Sequence, residues 1–243
     1  MLAIYKREML GYFTCPIGYV FMAIFFAFSG IIFSVSTFLG GTTNTGSYFV
    51  FMLIAFIVLI PLLTMKLLSE ERNLKTDQIL LTSPVSLMGI VSAKFFAAYT
   101  LFAGTLIASC AVNIFSLYNF AKDQQDIFEK LHLPAVYGSV AGILLLGAVF
   151  VAIGLFISSV TQAQIIAAVG SMGVFALLYL CGFIPYFVSN GAIRNAVRWF
   201  SVFERFQVFT TGVFDITAIV YYISLTVIFL FLTIRVYEKR RWA

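Results

Sequence analysis

The chain has 243 residues, of which 62% are hydrophobic, 17% aromatic and only 10% charged, with a formal net charge of +5. Soluble domains carry about 25% charged residues, and no globular core could hide this much apolar surface, so the chain reads as an integral membrane protein. The positive charge is spread along the chain with no basic cluster interleaved with aromatics, which excludes a nucleic-acid footprint and leaves the basic residues as topology signals.

Residues 3–15 place Lys6 and Arg7 among Tyr5, Met9, Tyr12 and Phe13, and Pro16 then opens an apolar run. This predicts an interfacial helix on the inner leaflet, followed by a span. Lys6, Arg7 and Ser34-Val35-Ser36 loosely mimic a secretory signal. The apolar stretch is too long for one, and Glu8 and Pro16 interrupt it, so the segment reads as retained. No charge occurs between Met9 and Met65. The turn formers from Gly40 to Ser47 divide that run into spans near 17–39 and 47–66.

Lys66, Glu70, Glu71, Arg72, Lys75 and Asp77 then arrive together. Leu67, Leu74 and Leu81 recur at seven, and Glu71 stands four before Lys75, which together predict a short amphipathic helix over 67–83. Ser83 is a good N-cap and Pro84 suits a first turn, so the chain corners there into the next helix. Two readings stand for this segment, an interfacial linker or a stiff element that receives force from a soluble partner.

A third span near 88–117 carries only Lys94, at its start, and residues 118–133 form a polar loop. The uncharged run from Leu133 to Ile193 is split at Ser158–Gln164 into spans near 134–158 and 164–187. In residues 192–214, Trp199, Phe203 and Phe206 share a helical face and Arg194, Arg198 and Arg205 lie largely elsewhere, with Gly212 as the breaker. From these residues alone that is an aromatic belt. A sixth span covers about 216–236. Six spans place both termini on one side. Lys6, Arg7, Lys66, Arg72, Lys75, Lys94, Arg235, Lys239, Arg240 and Arg241 share that side, against Lys122, Lys130, Arg194, Arg198 and Arg205. The bias predicts cytoplasmic termini.

No acid or base lies in the middle of a span, which argues against ion-coupled transport. No nucleophile has a base or metal at membrane depth, which argues against a membrane enzyme. His132, the only histidine, sits in a polar loop. Cys15, Cys110 and Cys181 form no CxxC pair and read as small apolar packing. No Gly-Lys dipeptide occurs, so a GxxxxGK[ST] phosphate loop is absent and any energy from ATP must come from another subunit.

"EERNLKTDQILLTSPVS" followed by "IVSAKFFAAYTLF" resembles the first cytoplasmic loop of ABC-2-type permeases, through Glu70, Glu71, Thr76, Leu80, Leu81, Thr82, Ser83, Pro84 and Lys94. Lys75 stands where that pattern has Gly, and Gln78 where it has Glu. "YKREMLGYFTCPIGYVF" and "WFSVFERFQVFTTGVFDITAIVYYIS" resemble the two ends of the same family, closest to its gliding-motility and nitrous-oxide-accessory branch.

The resemblance implies an all-α integral membrane protein with a single permease domain over residues 1–243. It implies six transmembrane helices, an N-terminal interfacial helix, a cytoplasmic coupling helix and an extracellular re-entrant helical hairpin at 192–214. ATPase coupling would fall to Glu70, Glu71, Arg72, Lys75, Thr76, Asp77 and Pro84. The re-entrant segment would contain Arg194, Arg198, Trp199, Phe203 and Phe206. The implied activity is ATP-driven export by a subunit that is no enzyme and holds no cofactor, since ATP and Mg would bind a partner ATPase. The implied partners are that ATPase, a second permease subunit and an accessory membrane protein with an extracytoplasmic domain. The implied location is the bacterial cytoplasmic membrane. A non-translocating anchor or regulatory subunit is the alternative, and the substrate is not legible.

Overall fold

The computed structural model describes residues 1–39, 46–75, 86–121, 133–184 and 201–241, and every regular element in them is helical. The helices are α1 (Leu2–Thr14), α2 (Pro16–Phe33), α3 (Gly46–Thr64), α4 (Lys66–Asn73) and α5 (Leu87–Ala121). They continue as α6 (Leu133–Val160), α7 (Gln164–Cys181), α8 (Val202–Thr210) and α9 (Ile216–Arg241). A π-helical stretch, Ser34–Leu39, prolongs α2. Among the described residues, six helices are long and apolar enough to cross a bilayer, namely α2, α3 continuing into α4, α5, α6, α7 and α9. Buried hydroxyls such as Thr64, Thr105, Ser171 and Thr226 donate back to carbonyls of their own helices, which satisfies them without a partner helix.

The helix expected at 3–15 forms as α1. Cys15 is extended (φ −86°, ψ 145°) and Pro16 occupies the first turn of α2, so the chain elbows there. The elbow is tight enough that a Cβ on Gly18 would strike the Tyr12 carbonyl. Helix α1 is docked on the bundle. The Tyr12 hydroxyl donates to Leu63 O of α3 (3.3 Å) and the Tyr5 hydroxyl to Thr100 Oγ1 of α5 (3.2 Å).

The bundle is built around α6, whose Val149, Phe150, Val151, Ala152 and Leu155 are fully buried. Glycines on α6 let its neighbours come close. Gly147 lies under the Phe102 ring of α5, and Gly138 and Gly142 lie under Phe209 of α8. Phe25, Phe56 and Phe102 pack ring on ring between α2, α3 and α5, with centroids 5.3–6.4 Å apart. On the other flank, Phe150 stacks on Phe175 of α7 (4.4 Å) and meets Phe203 of α8 edge-on (6.0 Å).

Two stretches depart from the sequence reading. The helix expected over 67–83 ends at Asn73: Leu74 caps it, and Lys75 turns the chain with a positive φ of 56°. Leu74, at the cap, is exposed while Leu67 and Leu68 are buried; Leu81, the last of the seven-spaced leucines, lies outside the described residues. The span expected at 164–187 ends as α7 at Cys181, where Gly182 caps it, ahead of Pro185 in the sequence. The polar loop expected at 118–133 lies largely outside the described residues.

The close approach at Gly147 gives a direct test of this packing. Phe102 has no exposed surface and little room to retreat. Gly147→Ala is expected to lower stability by about 1–3 kcal/mol, the usual cost of overpacking, in thermal unfolding of the detergent-solubilised protein. Adding Phe102→Leu should recover part of the loss.

Candidate functional site

Lys94 stands in the second turn of α5, and a charge there must find partners because bare ammonium is costly in an apolar surround. It is 1% exposed. Its Nζ donates to Leu67 O of α4 (2.7 Å) and lies 3.1 Å from Glu8 Oε1 of α1 and 2.9 Å from Glu71 Oε1 of α4. Arg7 completes the cluster, with Nη2 at 2.7 Å from Glu8 Oε1 and 2.8 Å from Glu71 Oε1. Two cations and two carboxylates therefore join three helices that are far apart in sequence, with no net charge. Burial works to raise the Glu8 carboxyl, but Lys94 and Arg7 outweigh it and hold that carboxyl below its ordinary value. The Glu8 hydrogen bond outweighs burial at Arg7 and holds that guanidinium above its ordinary value.

The same end of the bundle ties α4 to α6. The Ser158 hydroxyl accepts from the backbone N–H groups of Leu68 (3.2 Å) and Ser69 (3.1 Å), at the start of α4, and donates to Met65 O. Arg72 Nη1 donates to Val160 O (2.6 Å), and Arg240 of α9 donates to Ser159 O. Two guanidinium groups thus sit on the last carbonyls of α6, where the helix dipole favours positive charge.

Of the expected coupling residues, Glu70, Glu71, Arg72 and Lys75 are described, while Thr76, Asp77 and Pro84 lie outside the described residues. Glu70 and Glu71 were expected to act together, and the structure separates them. Glu71 is 15% exposed and turned into the Lys94 cluster, whereas Glu70 is 39% exposed and pairs loosely with Lys66 (3.8 Å). The expected Glu71–Lys75 pair is not formed, because Lys75 falls beyond the helix end with its backbone reversed. Arg72 faces α6, and Lys75 is exposed.

Arg194, Arg198 and Trp199 lie outside the described residues. Phe203 and Phe206 are in α8, remote from α4, and are 7% and 0% exposed against α6 and its neighbours. Ser201 caps α8 by accepting from Glu204 N (3.3 Å), Gly212 follows it with φ +82°, and Tyr222 of α9 donates to Val202 O (2.7 Å).

Sequence reasoning missed Arg7, Glu8, Ser158 and Arg240 as members of this site. The available signal was the lone Lys94 inside an apolar run, which required a carboxylate from elsewhere. A second polar node was missed as well. Asn113 of α5 donates to Ser29 Oγ of α2 and Tyr48 OH of α3 (3.0 Å each), and Ser29 also bonds Ser109.

Lys94→Met should cost about 3–5 kcal/mol, because it strands two carboxylates in a buried site, and Lys94→Met/Glu71→Gln should recover part of that loss. Protonation gives an independent measurement. The folded-state Glu8 carboxyl titrates below its ordinary 4.5, so its contribution is full above about that pH and is lost as pH falls through the lower folded value. The thermal midpoint of the wild type should drop with acidification more steeply than that of Glu8→Gln.

Compared with protein-family models, residues 38–237 match that of the ABC-2 family transporter protein. A search of the curated proteins found no match. The match covers most of the chain, including α3–α8, all but the last residues of α9, and the two carboxylates of α4. Six apolar helices and this match together make the chain a multi-pass membrane protein of the ABC-2 transporter family, the permease component of an ABC transporter.

Proposed function

We propose that this permease couples ATP hydrolysis in a separate subunit to outward movement of a substrate, and that α4 with the residues after it is where the ATPase docks. The observation that carries this reading is the fastening of α4. It continues α3 through the chain, holds α5 through Lys94, and holds α6 through Ser158 and Arg72. A displacement of so short a helix reaches three spanning helices at once. An unfastened loop would absorb the same movement.

The contact surface is then Glu70 on α4 and Lys75 just past its end, with Thr76, Asp77 and Pro84 following. Glu71 and Arg72 act from behind, by holding α4 to the bundle. Family membership implies an ATPase partner and a dimeric permease. An accessory protein with an extracytoplasmic domain, and placement in the gliding-motility and nitrous-oxide-accessory branch, extend that reading from the whole-chain resemblance.

We place the α4 end in the cytoplasm of a bacterial cell, with both termini there. The geometry supports this by gathering Arg7, Lys66, Arg72, Lys94 and Arg240 at one end of the bundle, as positive-inside bias requires. The outer-side role is assigned to 192–214 as a re-entrant segment, with α8 as its inner arm packed on α6.

Glu70→Ala/Lys75→Ala changes exposed groups only, so stability should stay within about 0.5 kcal/mol of wild type. Co-purification of the ATPase, or substrate-stimulated hydrolysis in liposomes, should fall at least severalfold. Wild-type association and transport in this variant would remove α4 as the docking surface. Intact association with no transport by the wild type in liposomes would instead mark a non-translocating anchor. In a background with Cys15, Cys110 and Cys181 replaced, cysteines at Lys75 and Arg240 should react with impermeant reagents only from inside, and one at Asp126 only from outside.

A further inference from the structure

Beside the charge cluster, a cleft of about 120 Å³ opens between α1 and the junction of α3 with α4. That is room for several water molecules or a group of similar bulk. Glu8, Gly11, Tyr12 and Cys15 form one wall, Lys66, Leu67 and Glu70 the other, and Ile17 closes the end towards α2. Its depth is set by the elbow at Cys15–Pro16, where a surface helix meets a spanning one. Phe13 and Tyr19 flank that elbow, both exposed and in edge-to-face contact (6.1 Å). Exposed aromatic pairs of this kind lie at headgroup level.

The charges in the cleft are of both signs and incompletely satisfied by each other. Lys66 and Glu70 are 3.8 Å apart, beyond hydrogen-bonding distance, and their side chains are 28% and 39% exposed. Lys66 therefore offers donors to an anion, and Glu70 offers acceptors to a cation a few ångströms away. Glu8 presents a further carboxylate, already balanced by Lys94 and Arg7. An anionic headgroup alone would meet two carboxylates beside one lysine. A zwitterion with phosphate on Lys66 and a protonated amine on Glu70 matches both. Gly11 leaves the wall open, with nothing within 4 Å of where its Cβ would stand.

We propose that this cleft binds the phosphoethanolamine headgroup of a membrane phospholipid. A primary ammonium donates hydrogen bonds to carboxylates, which a trimethylated amine cannot do, so the site distinguishes ethanolamine from choline lipids. Because Glu8 belongs to both the cleft and the Lys94 cluster, the bound lipid braces α1 against α4. The inference needs the membrane placement of α1 but no ATPase.

The test uses the full-length protein in nanodiscs holding equal parts of phosphatidylethanolamine, phosphatidylcholine and phosphatidylglycerol, with retained lipid read by native mass spectrometry. The wild type should retain the ethanolamine lipid about tenfold over the choline lipid, the scale of one charge-assisted hydrogen bond. Lys66→Met/Glu70→Gln should abolish that preference, and Gly11→Leu, which fills the cleft, should abolish it without lowering the thermal midpoint of the delipidated protein. Equal retention of all three lipids, preferential retention of phosphatidylglycerol, or a preference that survives Lys66→Met/Glu70→Gln would overturn the proposal. A thermal shift with free phosphoethanolamine matching that of the lipid would overturn the lipid as the source.

Discussion

One ammonium group organises the charged end of this molecule. Lys94 lies on an otherwise apolar helix, and its charge is tolerable only if carboxylates come to it. They come from α1 and α4, Glu8 lying 86 residues and Glu71 23 residues before Lys94 in the chain. Once Glu71 is committed to Lys94, the rotation of α4 about its axis is fixed. Glu70 then turns outward, Leu67 and Leu68 turn inward, and Arg72 falls against the end of α6. The position of α1 follows from the same demand, since Glu8 must face α5 while Tyr12 on the same side reaches α3.

The two ends of the bundle are held by different chemistry. At the α4 end, paired full charges and guanidinium caps on α6 do the joining. Such pairs are held in place largely because breaking one strands its partner. Toward the other end, the described contacts between spanning helices include neutral ones: the Ser29–Tyr48–Asn113 node, the Phe150–Phe175–Phe203 ring cluster, and the backbone of α8 pressed on Gly138 and Gly142, with Arg205 lying over the Tyr221 ring. Neutral hydrogen bonds and close packing suit a segment bathed in hydrocarbon, where there is no hydrophobic drive between helices. Helix α6 runs through both regimes, which makes it the common frame for the α4 junction and the α8 arm.

This division places the charged joints at the α4 end, where we propose that the ATPase docks, and leaves large apolar faces on α2, α7 and α9. Ile166, Val169, Val220, Val227 and Phe231 are more than half exposed in the isolated chain. In the membrane such faces meet lipid or a second subunit, and their composition suits either.

Much of this was legible in the sequence. Long uncharged runs set the six spans, because hydrocarbon thickness fixes helix length and leaves no alternative for the backbone. Cys15-Pro16 and Gly212 marked real breaks for local backbone reasons, and the loop and terminal stretches carried the family resemblance. What the sequence left undecided was which way each charged side chain points. Glu70 and Glu71 are adjacent and chemically identical, and the helical pair Glu71–Lys75 was the natural local assignment. Only the folded chain, by bringing Lys94 and Arg7 within 3 Å of Glu71 and turning Lys75 past the helix end, separates them. Span number is a one-dimensional property of burial in lipid, whereas a buried charge chooses its partners in three dimensions.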